Sequence, residues 1–307
     1  MNSTPRRQRH DPSRAGRRNI TRIAKRSLRD LSHRFRQLLA DLANVHREPV
    51  ETTHQLRVTS RRMDVALRLF KAWLPRGRRH WMRRVLKDIR CDAGSVRDLD
   101  LLEQQWRPSH GALAVQVPHE AATWMHKRIQ AERAQARHRL FRWTKKSASN
   151  RFRKRSQRLV RTARPQRKGN VHARISQALS KLVARLKDSL PTISTSLANS
   201  HRTRIHVRRV RYALELLHPI LPADTATMVA LLVQVQEQLG QINDAATAIR
   251  HLQASIEACN APVLIPQLQS LLERCETAAT ARLEKWSVDM SDQVDTLEDL
   301  LTRLTVG

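Results

Sequence analysis

Leu28, Leu31, Phe35, Leu38, Leu39 and Leu42 recur at steps of three and four residues. That spacing puts apolar side chains on one stripe of an α-helix. The pattern starts near Ile20, and Pro49 ends it or opens the next helix. Further helices are predicted over 50–74, stopping before Pro75, and over 78–92, with a break at Gly94 and a continuation from Asp98 to Trp106. Pro108, Gly111 and Pro118 mark a loop before a helix over 120–144. The second half predicts helices over 171–189, 199–218, 223–254 and 265–304, with stops at Pro191 and Pro219. Residues 1–18 hold six Arg, one Asp, two Pro and a Gly, and predict a disordered basic arm. Residues 127–168 carry 17 Lys+Arg and one Glu. Within them Lys145–Lys168 has weak periodicity, which fits either a flexible basic linker or a helical tip that orders on a polyanion.

The two halves echo each other. Residues 54–69 read HQLRVTSRRMDVALRL and residues 201–216 read HRTRIHVRRVRYALEL, identical at seven of 16 positions without a gap. Forty residues after His54 comes Gly94-Ser-Val-Arg-Asp98, and 39 after His201 comes Gly240-Gln-Ile-Asn-Asp244. Two matching blocks at matching spacing point to a duplicated unit. The expected architecture is all-α: two pseudosymmetric four-helix bundles, over 19–145 and 171–307, joined by 146–170, with a basic groove between them.

At about 100° per residue, His54, Arg57, Arg61, Asp64 and Arg68 fall in one arc, opposite Leu56, Met63, Leu67 and Phe70. In the second copy His201, Arg204, Arg208, Arg211 and Glu215 oppose Val207, Val210, Leu214 and Leu217. Arg62 and Arg209 flank the stripe, as support or rim. Arg83, Lys87 and Arg90 add positive charge on the third helix of the first copy, whereas residues 224–247 contain no Lys or Arg. The site should therefore be lopsided. Each copy offers a ridge of cations at regular spacing. Arg supplies a planar fork for phosphate oxygens, and His a donor whose protonated form is favoured beside an anion. The alternative is a solvated face with Asp64 paired to Arg57, Arg61 or Arg68, and Glu215 to Arg208 or Arg211.

Charge supports a polyanionic partner. The chain's formal net charge is +31, and it is uneven: residues 251–307 hold 4 Lys+Arg against 9 Asp+Glu. A body so basic repels itself and is more stable beside a polyanion. Only 7 Gly and 4% aromatic residues argue against a strand-rich fold. Cys91, Cys259 and Cys275 have no C-x-x-C spacing, which argues against a disulfide framework or zinc site and for a reducing, cytoplasmic setting. No apolar run approaches membrane-spanning length, and the Arg-rich start lacks the apolar core of a secretory signal.

HQLRVTSRR at 54–62, HRTRIHVRR at 201–209 and the two Gly…Asp blocks resemble the conserved-histidine α-helical domain, the CHAD domain, over about 20–304. The resemblance implies two pseudosymmetric four-helix bundles, binding of inorganic polyphosphate in a central basic groove, and association with polyphosphate granules. Carried over by position, His54, Arg57, Arg61, Arg62, His201, Arg204, Arg208 and Arg209 would line that groove. Asp64 departs from the family pattern, standing where a basic residue is common. Many relatives are fused to a β-stranded triphosphatase-type domain, and no such region is expected within these 307 residues.

Catalysis has little support. Asp98, Asp100 and Glu103 spread around a helix turn, and Asp98 recurs as Asp244, so capping or orienting a neighbouring Arg suits Asp98 and Asp244 better than binding a metal. No phosphate-cradling Gly loop of the P-loop type occurs. We expect a non-catalytic binder with no cofactor and no metal. Nucleic acid is the weaker alternative partner: the charge suits it, but the basic stretches lack interleaved aromatics for base stacking.

Overall fold

A computed structural model describes residues 12–44, 49–108, 110–164, 171–221 and 225–306. Among these residues the chain forms ten α-helices and no strand. They are α1 (Pro12–Ala43), α2 (Pro49–Leu69), α3 (Arg76–Gln105), α4 (His119–Phe141) and α5 (Lys146–Arg161) in the first half. The second half has α6 (Val171–Lys187), α7 (Leu197–Leu217), α8 (Thr225–Glu257), α9 (Ile265–Asp289) and α10 (Ser291–Val306).

Successive helices pack on one another: α1 on α2, α2 on α3 and α3 on α4, then α6 on α7, α7 on α8 and α8 on α9. The halves meet where α2 lies against α7 and α1 against α6, and one contiguous apolar core runs through both. All eight residues expected on the core sides of α2 and α7 are buried, from Leu56 and Met63 to Leu214 and Leu217. Because α2 touches α1, α3 and α7, it is buried almost all round at its centre, so that even Asp64 is only 8% exposed.

Several expectations need correction. Gly94 does not break α3. An interior Gly costs a helix about 1 kcal/mol, and burial of the flanking Ala93, Val96 and Leu99 is enough to hold the helix through it. The stretch read as linker or tip forms α5 up to Arg161. Phe152, Leu159 and Val160 bury one face against α1 and α3, Arg151, Arg153, Lys154 and Arg158 stay exposed, and Phe152 packs on Phe35 at 4.9 Å. Residues 165–170 lie outside the described residues. The single helix expected over 265–304 turns at Met290, which is buried, and α10 folds back to bury Leu297 and Leu301 against α6 and α8. The second unit thus has five helices rather than four, while the first keeps its four, α1 to α4, and α5 occupies the stretch between the two units. The expected arm lies outside the described residues up to 11. From Pro12 it is helix, Pro being suited to a first turn and Arg and Ala to helix interiors.

Candidate functional site

The Ser196 side chain caps α7 by accepting a hydrogen bond from the Asn199 backbone N–H. With their apolar sides fixed in the core, the polar sides of α2 and α7 come together. Arg61 of α2 and Arg208 of α7 are half-buried and line one cavity of about 260 Å³ with Asp64, Arg90, His201 and Arg209. Burial first, and then the guanidiniums of Arg208 and Arg57, push the pKa of Arg61 down to about 8. Burial and then Arg204 push Arg208 down to about 9. Arg204 is lowered by burial too, with Arg57 adding to the effect against the attraction of Asp244. Among the described residues no carboxylate is within ion-pair distance of Arg61, Arg204 or Arg208, and Nε of Arg204 is buried without a hydrogen-bond partner. A guanidinium keeps its proton at neutral pH, so these groups stay charged, crowded and poorly solvated.

The first Arg of each motif faces the Gly…Asp block of the next helix. Arg57 donates to Oδ1 of Asp98 at 2.9 Å and to the carbonyl of Gly94 at 3.4 Å. Arg204 lies over Gly240, where an added Cβ would sit 3.3 Å from its Nη2. Burial, ahead of any charge, raises the Asp244 carboxyl above its ordinary pKa. Each His faces the residue that precedes the Asp: Arg97 weighs on His54, and Asn243 hydrogen-bonds Nδ1 of His201. Burial is the main cause lowering both His54 and His201.

Other expected site residues are already partnered. Asp64 accepts from Nε of Arg68 at 2.7 Å and from Nε of Arg83 at 2.9 Å. Burial alone would raise its pKa, but hydrogen bonds from Arg83 and Arg68 more than offset this and hold it low. Arg62 reaches across to Glu215 at 2.9 Å, and Arg211 lies 3.6 Å from the same carboxylate. Both guanidiniums stack on the Tyr212 ring, at 5.1 and 4.8 Å. Lys87 is exposed and makes none of these contacts. The set therefore divides into a core (Arg57, Arg61, Arg204, Arg208, with Arg90, Arg209 and the two His beside it) and a braced surround.

Sequence reasoning missed Tyr212 and Asn243. Asn243 was findable, since it immediately precedes Asp244 in the repeated block. Tyr212 had no signal, because Val65 is its repeat counterpart. Asp98 is committed to Arg57, and Asp100 to Arg133 at 2.6 Å and Arg137 at 3.5 Å. Among the described residues no three metal-ligating side chains gather. No described helix is long and apolar enough to cross a membrane, and all three cysteines are free thiols.

The family model for the CHAD domain matches residues 29–253. Among solved structures, the chain is similar to the crystal structure of the CHAD domain from the plant Ricinus communis. The two are 24% identical with a TM-score of 0.61, covering 92% of this chain and 91% of that one. It is similar also to PptA from Streptomyces chartreusis, at 17% identity and a TM-score of 0.66, covering 92% of this chain and 99% of that one. At these identities the likeness is one of fold. No curated protein matches the chain.

Proposed function

The chain belongs to the CHAD domain family, and from that premise we propose that it binds inorganic polyphosphate, without catalysis, between the facing polar sides of α2 and α7. The observation that carries this reading is the group Arg61, Arg204 and Arg208: half-buried, mutually repelling, and without a carboxylate in ion-pair distance among the described residues. Natural proteins retain such destabilising groups where a ligand needs them. A chain of phosphates would relieve the repulsion, supply acceptors for the orphaned donors, and meet forks on rigid helices that need little reordering. The surrounding pairs, such as Arg57 with Asp98, fix the geometry beforehand.

The correspondence of Arg57, Gly94 and Asp98 with Arg204, Gly240 and Asp244 supports descent from a duplicated unit, with two pseudosymmetric halves flanking a basic groove. The charge is lopsided as the sequence suggested, since Arg83, Lys87 and Arg90 have no cationic counterpart on α8 between 225 and 247. Such a protein would reside in the cytoplasm and coat polyphosphate granules.

Nucleic acid is the competing partner. A duplex about 20 Å wide presents few phosphates to a cleft between helices, while thin, flexible polyphosphate can enter it. Both weaken with salt through counterion release. The test is displacement of labelled polyphosphate by unlabelled duplex DNA or single-stranded RNA at two salt concentrations. We expect DNA and RNA to compete poorly, and less well still at the higher salt. Equal displacement per phosphate at both concentrations would promote the nucleic-acid reading.

A further inference from the structure

Away from α2 and α7, α1 and α5 flank a second cavity, open to solvent, of about 590 Å³. Its walls include Arg29, His33 and Arg36 of α1 and Ser156, Val160 and Arg161 of α5. We propose that this cavity is a second, independent binding site for a phosphate-bearing anion.

Three observations carry it. First, its arginines lack a counter-charge, as Arg61, Arg204 and Arg208 do between α2 and α7. Three other arginine pairs share a carboxylate: Arg68 and Arg83 share Asp64, Arg133 and Arg137 share Asp100, and Arg62 and Arg211 share Glu215. Around the α1–α5 cavity no carboxylate is among the walls, and none among the described residues is within ion-pair distance of Arg29, Arg36 or Arg161. Second, Nε of Arg36 is buried with no hydrogen-bond partner, so a charged donor on the wall is cut off from both water and protein. Third, the cavity is built on a fixed frame. Phe35, next to Arg36, packs on Phe152, one turn before Ser156, and both rings are buried. Arg29, His33 and Arg36 follow at steps of four and three along one face of α1, so their spacing is set by the helix.

The chemistry selects the ligand. Several guanidiniums and an imidazole converging without a counter-charge suit a compact, multiply charged oxyanion, with Arg able to chelate two of its oxygens. The walls hold no Phe, Tyr or Trp, and their one ring is the small imidazole of His33, which favours an anion without bases. The anion can be free, as a short polyphosphate, or a stretch of a long chain. Held at two places, a long chain would dissociate more slowly than from either site alone.

The experiment is calorimetric titration of the full chain with inorganic tripolyphosphate, then with long-chain polyphosphate. The variants are Arg36→Gln with Arg161→Gln, and separately Arg61→Gln with Arg208→Gln. Two tripolyphosphates should bind per wild-type chain and one per molecule of either variant, with the helical circular dichroism signal unchanged. Because Arg36 is partly buried, Arg161→Glu alone, at an exposed position, is the second variant. It should weaken one class of tripolyphosphate binding at least tenfold and leave the other as it was. If long chains bridge the sites, Arg161→Glu also speeds their release. If long-chain release is unchanged but the tripolyphosphate stoichiometry falls from two to one, the site takes free short anions only, which still supports it. Stoichiometry and affinity unmoved by all the α1–α5 substitutions would overturn the proposal. Such a result would leave the reading of α2 and α7 standing, since that rests on the other variant.

Discussion

Arg61 and Arg208 sit in positions where a protein selected for stability alone would place other residues. Each is half-buried, Arg208 depresses Arg61, and Arg204 depresses both. Replacing Arg61 by Met keeps much of the side-chain length and removes the repulsion. We expect urea denaturation to show a gain of about 0.5–2 kcal/mol, together with at least a tenfold loss of polyphosphate affinity. Loss of both stability and affinity would mark Arg61 as structural. Asp64 gives the opposite trade. Asp64→Asn strips Arg68 and Arg83 of their shared charge and should cost about 1–3 kcal/mol, less than breaking a fully buried pair because both arginines remain about one-third exposed. It also makes the cavity more positive, so polyphosphate should bind more tightly. Weaker binding would show that Asp64 organises the site instead of opposing it. At this scale the sequence was partly legible. Helical spacing grouped Asp64 with Arg68, but Arg83 belongs to the next helix, and only packing could bring it to the same carboxylate. The repeat suggests capping or orienting an Arg for Asp98 and Asp244; Asp98 pairs with Arg57, whereas Asp244 has no ion pair among the described residues.

Apolar spacing predicts most helix positions to within a few residues, because amphipathic stripes and proline stops are local signals. It fails where tertiary packing overrides a local signal. Gly94 remains within α3 because its neighbours are buried, and its own position is open, with nothing within 4 Å of an added Cβ. Within α5 the many cations mask a narrow apolar face of Phe152, Leu159 and Val160, which has value only once α1 and α3 cover it. If α5 belongs to the fold, Phe152→Ala should cost about 3–5 kcal/mol, as core aromatic truncations do, read from denaturant midpoints. An unchanged midpoint would return this stretch to the status of a linker. Gly240 is tighter than Gly94. Alanine there should gain about 0.5–1 kcal/mol of helix stability while pushing Arg204 aside by a few tenths of an ångström, so a stabler protein with weaker polyphosphate binding is expected from paired melting and binding curves.

For the whole molecule, charge and protonation are linked. Burial lowers His54 and His201 below the ordinary 6.5. Between that value and their lowered values the unfolded chain holds more protons than the folded one, so these two groups cost stability as pH falls through 6.5 and cost none well above it. A bound polyanion acts in the opposite direction, raising both. Binding should therefore take up protons and tighten as pH falls from about 7.5 to 5.5, measurable as different binding heats in buffers of different ionisation enthalpy. The same heat in every buffer would place both histidines away from the ligand. The central claim is that geometry, rather than a net charge of +31, selects polyphosphate. Two charge-matched double variants test it most directly. One is Arg61→Gln with Arg208→Gln, and the other is Arg84→Gln with Arg139→Gln, two exposed arginines outside the cavity. Titrated with long-chain polyphosphate at one salt concentration, the first pair should lose at least tenfold in affinity and the second less than twofold. Equal losses would show that charge alone does the binding and would contradict the account.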